Sequence, residues 1–176
     1  MYTLLLCIDG AIPKTVINLK MMNFSIQPAK LEHVDQIVGL IKYWAELGQL
    51  LDRSQAEVVD SIRDFKIAIS ENGDFVGCSS LHVLGSDVAE VRSLAVDPNW
   101  QEKGLGAALV EACVKDAYTY DIDRVFALTY QPGFFEKQGF ILANVMDFPE
   151  KVWNECVRCP FFSNCREIAV VLELES

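Results

Sequence analysis

The chain has 176 residues, of which 51% are hydrophobic and 23% charged, with a formal net charge of −10. This length suits one domain with a full core, and the composition excludes a disordered chain. The acidic balance argues against a sequence-independent nucleic-acid binder, which needs a basic face to displace counterions.

Residues 1–22 end in Met21-Met22 and read as an N-terminal extension, with an extra edge strand over Thr3–Ile8 as the alternative. The domain itself is expected over residues 23–176. The apolar opening MYTLLLCIDG lacks the basic n-region and small-residue cleavage site of a secretory signal. No apolar run reaches the ~20 residues of a membrane span, so no membrane partner is expected. Six cysteines do not form a secreted framework here, because the core is large enough without staples. Cys7, Cys78 and Cys113 lie in apolar stretches and read as small buried hydrophobes. The expected location is the cytoplasm.

FSIQPA (24–29) alternates up to Pro28 and predicts a short strand. From Leu31, the residues Val34, Ile37, Leu40, Ile41, Trp44 and Leu47 recur at helical spacing, and Gly48 stops the helix. A second helix is expected after Ser54, with Val58, Val59 and Ile62 inward. FKIAISE (65–71), DFVGCSSLHVL (74–84) and VAEVRSLAV (88–96) predict three strands of a meander, the first turn made by Asn72-Gly73. Leu105, Ala108, Leu109, Ala112 and Cys113 form one face of a helix running to about Tyr118. RVFALTY (124–130), GFILANV (139–145) and EIAVVLEL (167–174) predict further strands, with short helices at GFFEKQ and PEKVWNEC. A meander followed by a strand–helix–strand crossover predicts an α/β (α+β) domain with one central mixed sheet of six to seven strands flanked by helices.

Gln101-x-x-Gly104-x-Gly106 stands between a strand and a helix, where glycines let an anion approach free N–H groups and the positive end of the dipole. It is neither a Walker loop nor a Rossmann fingerprint. A helix-capping turn is the plain alternative, and Lys103 adds a cation. Strand alternation places Glu90, Arg92, Leu94 and Val96 on one face. By pattern alone, Glu90 reads as an exposed edge-strand charge and Arg92 as a surface ion-pair partner. His82, in Leu-His-Val on a strand, reads as a structural histidine.

SLAVDPNWQEKGLGAALVEACVKDA resembles the coenzyme A-binding core of the GNAT acetyltransferases, and QPGFFEKQGF (131–140) resembles that family's second element. The resemblance spans residues 24–174. Within the family, LDRS, LHVL, AEVRSLAV and FPEKVWNECVRCPFFSNCREIAVVLEL are similar to short single-domain N-acetylglutamate synthases of arginine biosynthesis. It implies acetyl-CoA as co-substrate and direct attack of an amino-acid amine, L-glutamate foremost, on the thioester. The alternatives are another small amine, a protein amine, or a non-catalytic acyl-CoA-binding module. The amino-acid-kinase domain of longer synthases has no counterpart in these phrases, so arginine feedback housed there is not expected.

The same resemblance implies that Leu94, Ala95 and Val96 pair with the pantetheine arm. Gln101, Glu102, Lys103, Gly104, Leu105, Gly106 and Ala107 would hold the pyrophosphate, with Phe134 and Lys137 also against the coenzyme. Glu90 matches the family's catalytic glutamate. The family's tyrosine acid is replaced by Phe135, leaving Tyr130 or water to protonate the thiolate. Arg92 and Arg53 would bind the acceptor's carboxylates, and a homodimer stays open. Cys156, Cys159 and Cys165 lack an obvious fourth metal ligand, so no metal is expected. Zinc remains the lesser alternative, with His33, His82 or Cys78 completing the set.

Overall fold

Alternating apolar and polar residues build β1 (Phe24–Pro28), β2 (Phe65–Ser70), β3 (Phe75–Val83) and β4 (Val88–Val96), which pair antiparallel in chain order. β5 (Arg124–Thr129) joins β4 in parallel, and β7 (Ile168–Glu173) lies antiparallel between β5 and β6 (Ile141–Ala143). The result is the expected mixed sheet, seven strands in the order β1-β2-β3-β4-β5-β7-β6. This computed structural model describes residues 23–175, and the expectations for residues 1–22, Cys7 among them, lie outside these. Among the described residues no helix is long and apolar enough to cross a membrane.

The β2–β3 turn closes as expected. Gly73, at φ +88°, takes the left-handed place of a three-residue loop, with Gly73 N donating to Ser70 O and Ser70 N to Asp74 O. α1 (Val34–Glu46) follows a 3-10 turn over Leu31–His33 and buries Val34, Ile37 and Ile41. α2 (Gln55–Asp60) is capped by Ser54 and spans under two turns, so only Val58 of its length is buried. Val59, expected inward, is exposed. α3 (Leu105–Thr119) buries Leu105, Leu109, Val110, Cys113 and Ala117, and Ala108 and Ala112 flank this stripe. α4 (Pro132–Glu136) and α5 (Pro149–Asn154) are short. β6 is shorter than expected because Gly139, at φ +90°, turns the chain before it and Asn144 caps a 3-10 turn after it.

One correction concerns β4. Cys78 of β3 faces Ala95, but Ser80 faces Arg92, so β4 carries one extra residue across this step. Ser93 absorbs it at φ +55°. A bulge reverses the alternation beyond it. Ala89 and Val91 therefore pack with Val110, Cys113 and Ala117 of α3, and beyond the bulge it is Leu94 and Val96 that pack with Leu105 and Leu109. On the opposite face, Val88 meets Phe126 and Phe148, while Ala95 meets Val34, Ile37 and Ile41. Glu90 and Arg92 do not share a face with Leu94 and Val96, contrary to uninterrupted alternation.

α3 reaches the sheet closely over β3. A Cβ on Gly77 would stand 3.0 Å from Ala95 O, 3.2 Å from Leu109 Cδ1 and 3.4 Å from Leu105 Cδ2. The carbonyl cannot yield without disturbing the β3–β4 ladder. Gly77→Ala is expected to cost about 1–3 kcal/mol, as overpacking does. Thermal unfolding should show a midpoint lower by roughly 2–12 °C for a domain of this size.

Candidate active site

β4 and β5 pair only over Val88–Glu90 and Arg124–Phe126. Beyond Glu90 the strands part, leaving the edge of β4 from Val91 to Val96 without a strand partner on that side among the described residues. A parted parallel pair exposes strand N–H and C=O groups that an extended, amide-containing arm can bond. Trp44 Nε1 of α1 donates to Val96 O at 2.9 Å and fixes the far end of this edge.

The loop after β4 ends at the start of α3. Pro98–Trp100 form a 3-10 turn capped by Asp97, Glu102 stands at φ +60°, and Gly104 caps α3 at φ +79°. The N–H groups of Leu105, Gly106 and Ala107 find no acceptor among the described residues. These donors and the helix dipole suit an anion. Lys103 Nζ lies over the Trp100 ring, 4.9 Å from its centroid, and adds a cation. Gly106 is closely approached: a Cβ there would stand 3.3 Å from Cε2 and Cζ of the half-buried Phe134, and the ring would have to shift by a few tenths of an ångström. Phe134 thus covers the helix start, whereas Phe135 is buried edge-on to Phe134 and Phe140. Gln101 and Lys137 are exposed beside the loop and α4.

On the other face of the sheet, charges converge beside the parting strands. Glu90 is 3% exposed, and its Oε2 accepts from Lys151 Nζ of α5 at 2.8 Å. Lys151 Nζ also donates to Glu155 Oε2 at 2.8 Å. Arg92 Nη1 donates to Oε1 and Oε2 of Glu155 at 3.0 and 3.1 Å, and stands 3.8 Å from Glu90 Oε2. His82 bridges Asp64 Oδ2 (3.2 Å) and Glu155 Oε1 (3.8 Å). Glu90 Oε1 makes no hydrogen bond among the described residues.

Arg53 joins the cluster from the loop before α2. The reciprocal Ser54–Glu57 capping box fixes the turn that carries it. Its guanidinium has no hydrogen bond or ion pair among the described residues. Burial and then the Arg92 charge draw its pKa down, opposed by Glu155, Glu57 and Glu90. It stays cationic at any ordinary pH.

The remaining site candidates lie around this cluster. Tyr130 follows β5, and burial, Glu167 and Cys165 raise its pKa. Glu167 precedes β7 on the Glu90 side of the sheet, as its alternation with Ala169 and Val171 requires. Burial, then the Glu90 charge, raises its carboxyl. Cys165 Sγ lies 3.8 Å from Glu167 Oε2, and Cys156 and Cys159 are half-buried. No group of three or more His, Cys, Asp or Glu is placed to hold a metal among the described residues. The suggested fourth zinc ligands are occupied elsewhere: His33 Nδ1 accepts from Lys30 N, His82 holds Asp64, and Cys78 lies by Ser93 O. Burial pushes the thiols of Cys78 and Cys113 up to about 12, as expected of inert core cysteines.

Sequence reading missed Lys151, Glu155 and Glu167. The i,i+4 spacing of Lys151 and Glu155 was a visible signal for a pair on one helical face. Nothing in the spacing indicated that this pair would reach β4.

A family model described as acetyltransferase (GNAT) family matches residues 33–140. An uncharacterized N-acetyltransferase of Chlorobaculum tepidum is 34% identical over 149 residues, covering 85% of this chain and 96% of that protein. An amino-acid acetyltransferase of Mycobacterium tuberculosis is 32% identical over 133 residues, covering 74% of this chain and 72% of that protein. The solved N-acetylglutamate synthase of Neisseria gonorrhoeae, complexed with coenzyme A and N-acetyl-glutamate, superposes with a TM-score of 0.80 at 28% identity. That match covers 89% of this chain but only 36% of the longer synthase.

The ion cluster has a definite pH signature. Burial alone would lower the Lys151 pKa, but Glu90 and Glu155 raise it overall. Its stabilisation is complete below the ordinary lysine value and is lost only as pH rises through the higher folded value. For Glu155, burial is outweighed by the Lys151 hydrogen bond and charge and by Arg92, so its pKa is lowered. Its contribution is complete above the ordinary carboxylate value and disappears as pH falls through the lower folded value. Lys151→Met strands Glu90 in the interior and is expected to cost about 3 kcal/mol at neutral pH. Urea unfolding checks this. The Glu155→Gln deficit, measured the same way, should narrow as pH falls below the ordinary carboxylate range.

Proposed function

The chain belongs to the acetyltransferase (GNAT) family, and we propose that it acetylates the α-amino group of L-glutamate, using acetyl-CoA, in a ternary complex. The observation that carries this reading is the parting of β4 from β5 immediately after Glu90, between an anion-suited helix start and a half-buried arginine whose guanidinium has no partner among the described residues. Its donor is acetyl-CoA, which supplies an activated acetyl thioester. The donor set fits it: the N–H groups of Leu105, Gly106 and Ala107 with Lys103 suit the diphosphate, and the free edge at Leu94, Ala95 and Val96 suits the amide-bearing arm. Gln101, Glu102, Gly104, Phe134 and Lys137 border the same path.

Glu90 takes the proton of the incoming ammonium on Oε1, directly or through one water, while Lys151 holds Oε2 and fixes the carboxylate's orientation. The freed amine attacks the thioester carbonyl, the new C–N bond forms, the sulfur leaves with the electron pair of the C–S bond, and the nitrogen's second proton passes through water to restore the group that protonates the thiolate. Tyr130 is protonated at neutral pH as any tyrosine is, burial raises its pKa further, and it is the proton donor assigned to the departing thiolate. Arg53 is the open carboxylate receptor, since Arg92 is already engaged by Glu155. Arg92 and Lys151 are balanced by Glu90 and Glu155, so the unpaired charge that an acceptor meets at this face among the described residues is the Arg53 cation, which favours a carboxylate over a lysine-like amine despite the acidic net charge.

Thiol release from acetyl-CoA, measured with a panel of glutamate, glutamine, aspartate and simple amines, tests the reading. Turnover with glutamate well above every other amine is expected, and its absence would reject glutamate as acceptor. Arg53→Ala should raise the glutamate KM by about 10–100-fold while the acetyl-CoA KM moves little, the loss of one charge-assisted pair. An unchanged glutamate KM would remove Arg53 from the acceptor site. Glu90→Gln should lower turnover by about 10²-fold near neutral pH, with the deficit shrinking as alkaline pH deprotonates the amine unaided. A deficit independent of pH would dismiss the base.

A further inference from the structure

Glu155 is bound the way a substrate carboxylate would be. Both of its oxygens accept from Arg92 Nη1, at 3.0 and 3.1 Å, and Oε2 also accepts from Lys151 Nζ at 2.8 Å. Its side chain is 33% exposed, whereas Arg92 is 12% and Lys151 9% exposed. The carboxylate thus sits at the solvent side of cations that are themselves nearly buried. It is the C-cap of α5, its N–H donating to Lys151 O and its carbonyl accepting from Arg158 N, both at 3.0 Å, so the carboxylate can leave its cations by side-chain rotation without moving the backbone. Beside it, Arg53 alone among the cluster's cations has no partner in the described residues. The site therefore presents one open receptor for a carboxylate, and a second receptor filled by the protein itself.

We infer that Glu155 is an internal competitor for the acceptor's side-chain carboxylate and sets how strongly the site prefers an acidic over a neutral amino acid. This rests on the acceptor being an amino acid bound through Arg53. A monocarboxylic acceptor can pair with Arg53 and leave Glu155 in place. A dicarboxylic one must also displace Glu155 from Arg92 and Lys151, or go without the second pair. Selectivity is the difference between these two binding free energies, and an occupied receptor reduces the gain from a second carboxylate. Removing the Glu155 charge leaves Arg92 with only the 3.8 Å contact to Glu90 and opens its Nη1 to the ligand.

Calorimetric titration of glutarate and of its monoamide into the acetyl-CoA-free protein tests this without requiring turnover. In Glu155→Gln, glutarate affinity should rise by about tenfold or more, the size of one charge-assisted hydrogen bond. The monoamide should change by less than about threefold, because its single carboxylate uses Arg53 in both proteins. The ratio of kcat/KM for glutamate over glutamine should rise by the same factor as the glutarate affinity. Glu155→Asp, whose shorter side chain withdraws from Arg92, should shift both measures in the same direction and carries the test if the glutamine variant does not fold. An unchanged or lower glutarate affinity, loss of both ligands together, or no glutarate binding by either protein would overturn the proposal. If glutarate affinity rises but neither amino acid is acetylated, the acceptor assignment fails and the competition stands.

Discussion

One inserted residue in β4 organises the rest of the molecule. Ser93 adopts φ +55°, and the strand resumes with its faces exchanged. Upstream, Glu90 and Arg92 point to the side where α5 supplies Lys151 and Glu155. Downstream, Leu94 and Val96 turn to α3 and pack against Leu105 and Leu109. The two halves of one strand thereby serve the two sides of the sheet. Without the bulge, either the carboxylate chemistry would face α3 or the apolar anchors of the loop would face the ion cluster.

The parting of β4 from β5 follows from the same region. A parallel pair that ends at Glu90–Phe126 leaves backbone groups that must find partners in water or in a ligand. The strands are held at the closed end by apolar burial. Phe126 stacks on Phe148 with centroids 4.0 Å apart, and Val88 and Ala169 pack around them. α3 holds the open end from the other side, brought close by Gly77 and covered at its start by Phe134 over Gly106. The cleft is therefore a consequence of packing that is tight on both sides and discontinuous in the middle.

At the mouth of this cleft the buried Glu90–Lys151 pair is expensive to desolvate and stays charged because each partner compensates the other. Extending the pair to Glu155 and Arg92 distributes the charge from the interior to the surface. Arg53 stands outside this balance. On the proposed reading, an arginine left open beside a neutralised cluster would receive an anion selectively, which a cluster of unpaired arginines would not do.

Much of this was legible in the residues. Alternation, the Asn72-Gly73 turn, the Ser54 cap and the helical stripe of α1 are local properties, and each element formed where its own chemistry places it. The strand–loop–helix around Gly104 was likewise readable, because an N-terminal helix start needs only its immediate neighbours. Three things were not. The bulge at Ser93 breaks a periodicity without changing composition, since serine is no marker of positive φ. Gly106 looked like an anion glycine, but its lack of a Cβ also lets a ring 28 positions away pack closely over it. Lys151 and Glu155 formed a visible helical pair, yet their role depends on Glu90 and Arg92, some sixty residues earlier. Sequence alone determined the elements, the mixed sheet and the donor loop, because these follow from short-range pattern. Only the tertiary structure decided which arginine is open and which carboxylate is taken, because pairing of charges is settled by distance in space.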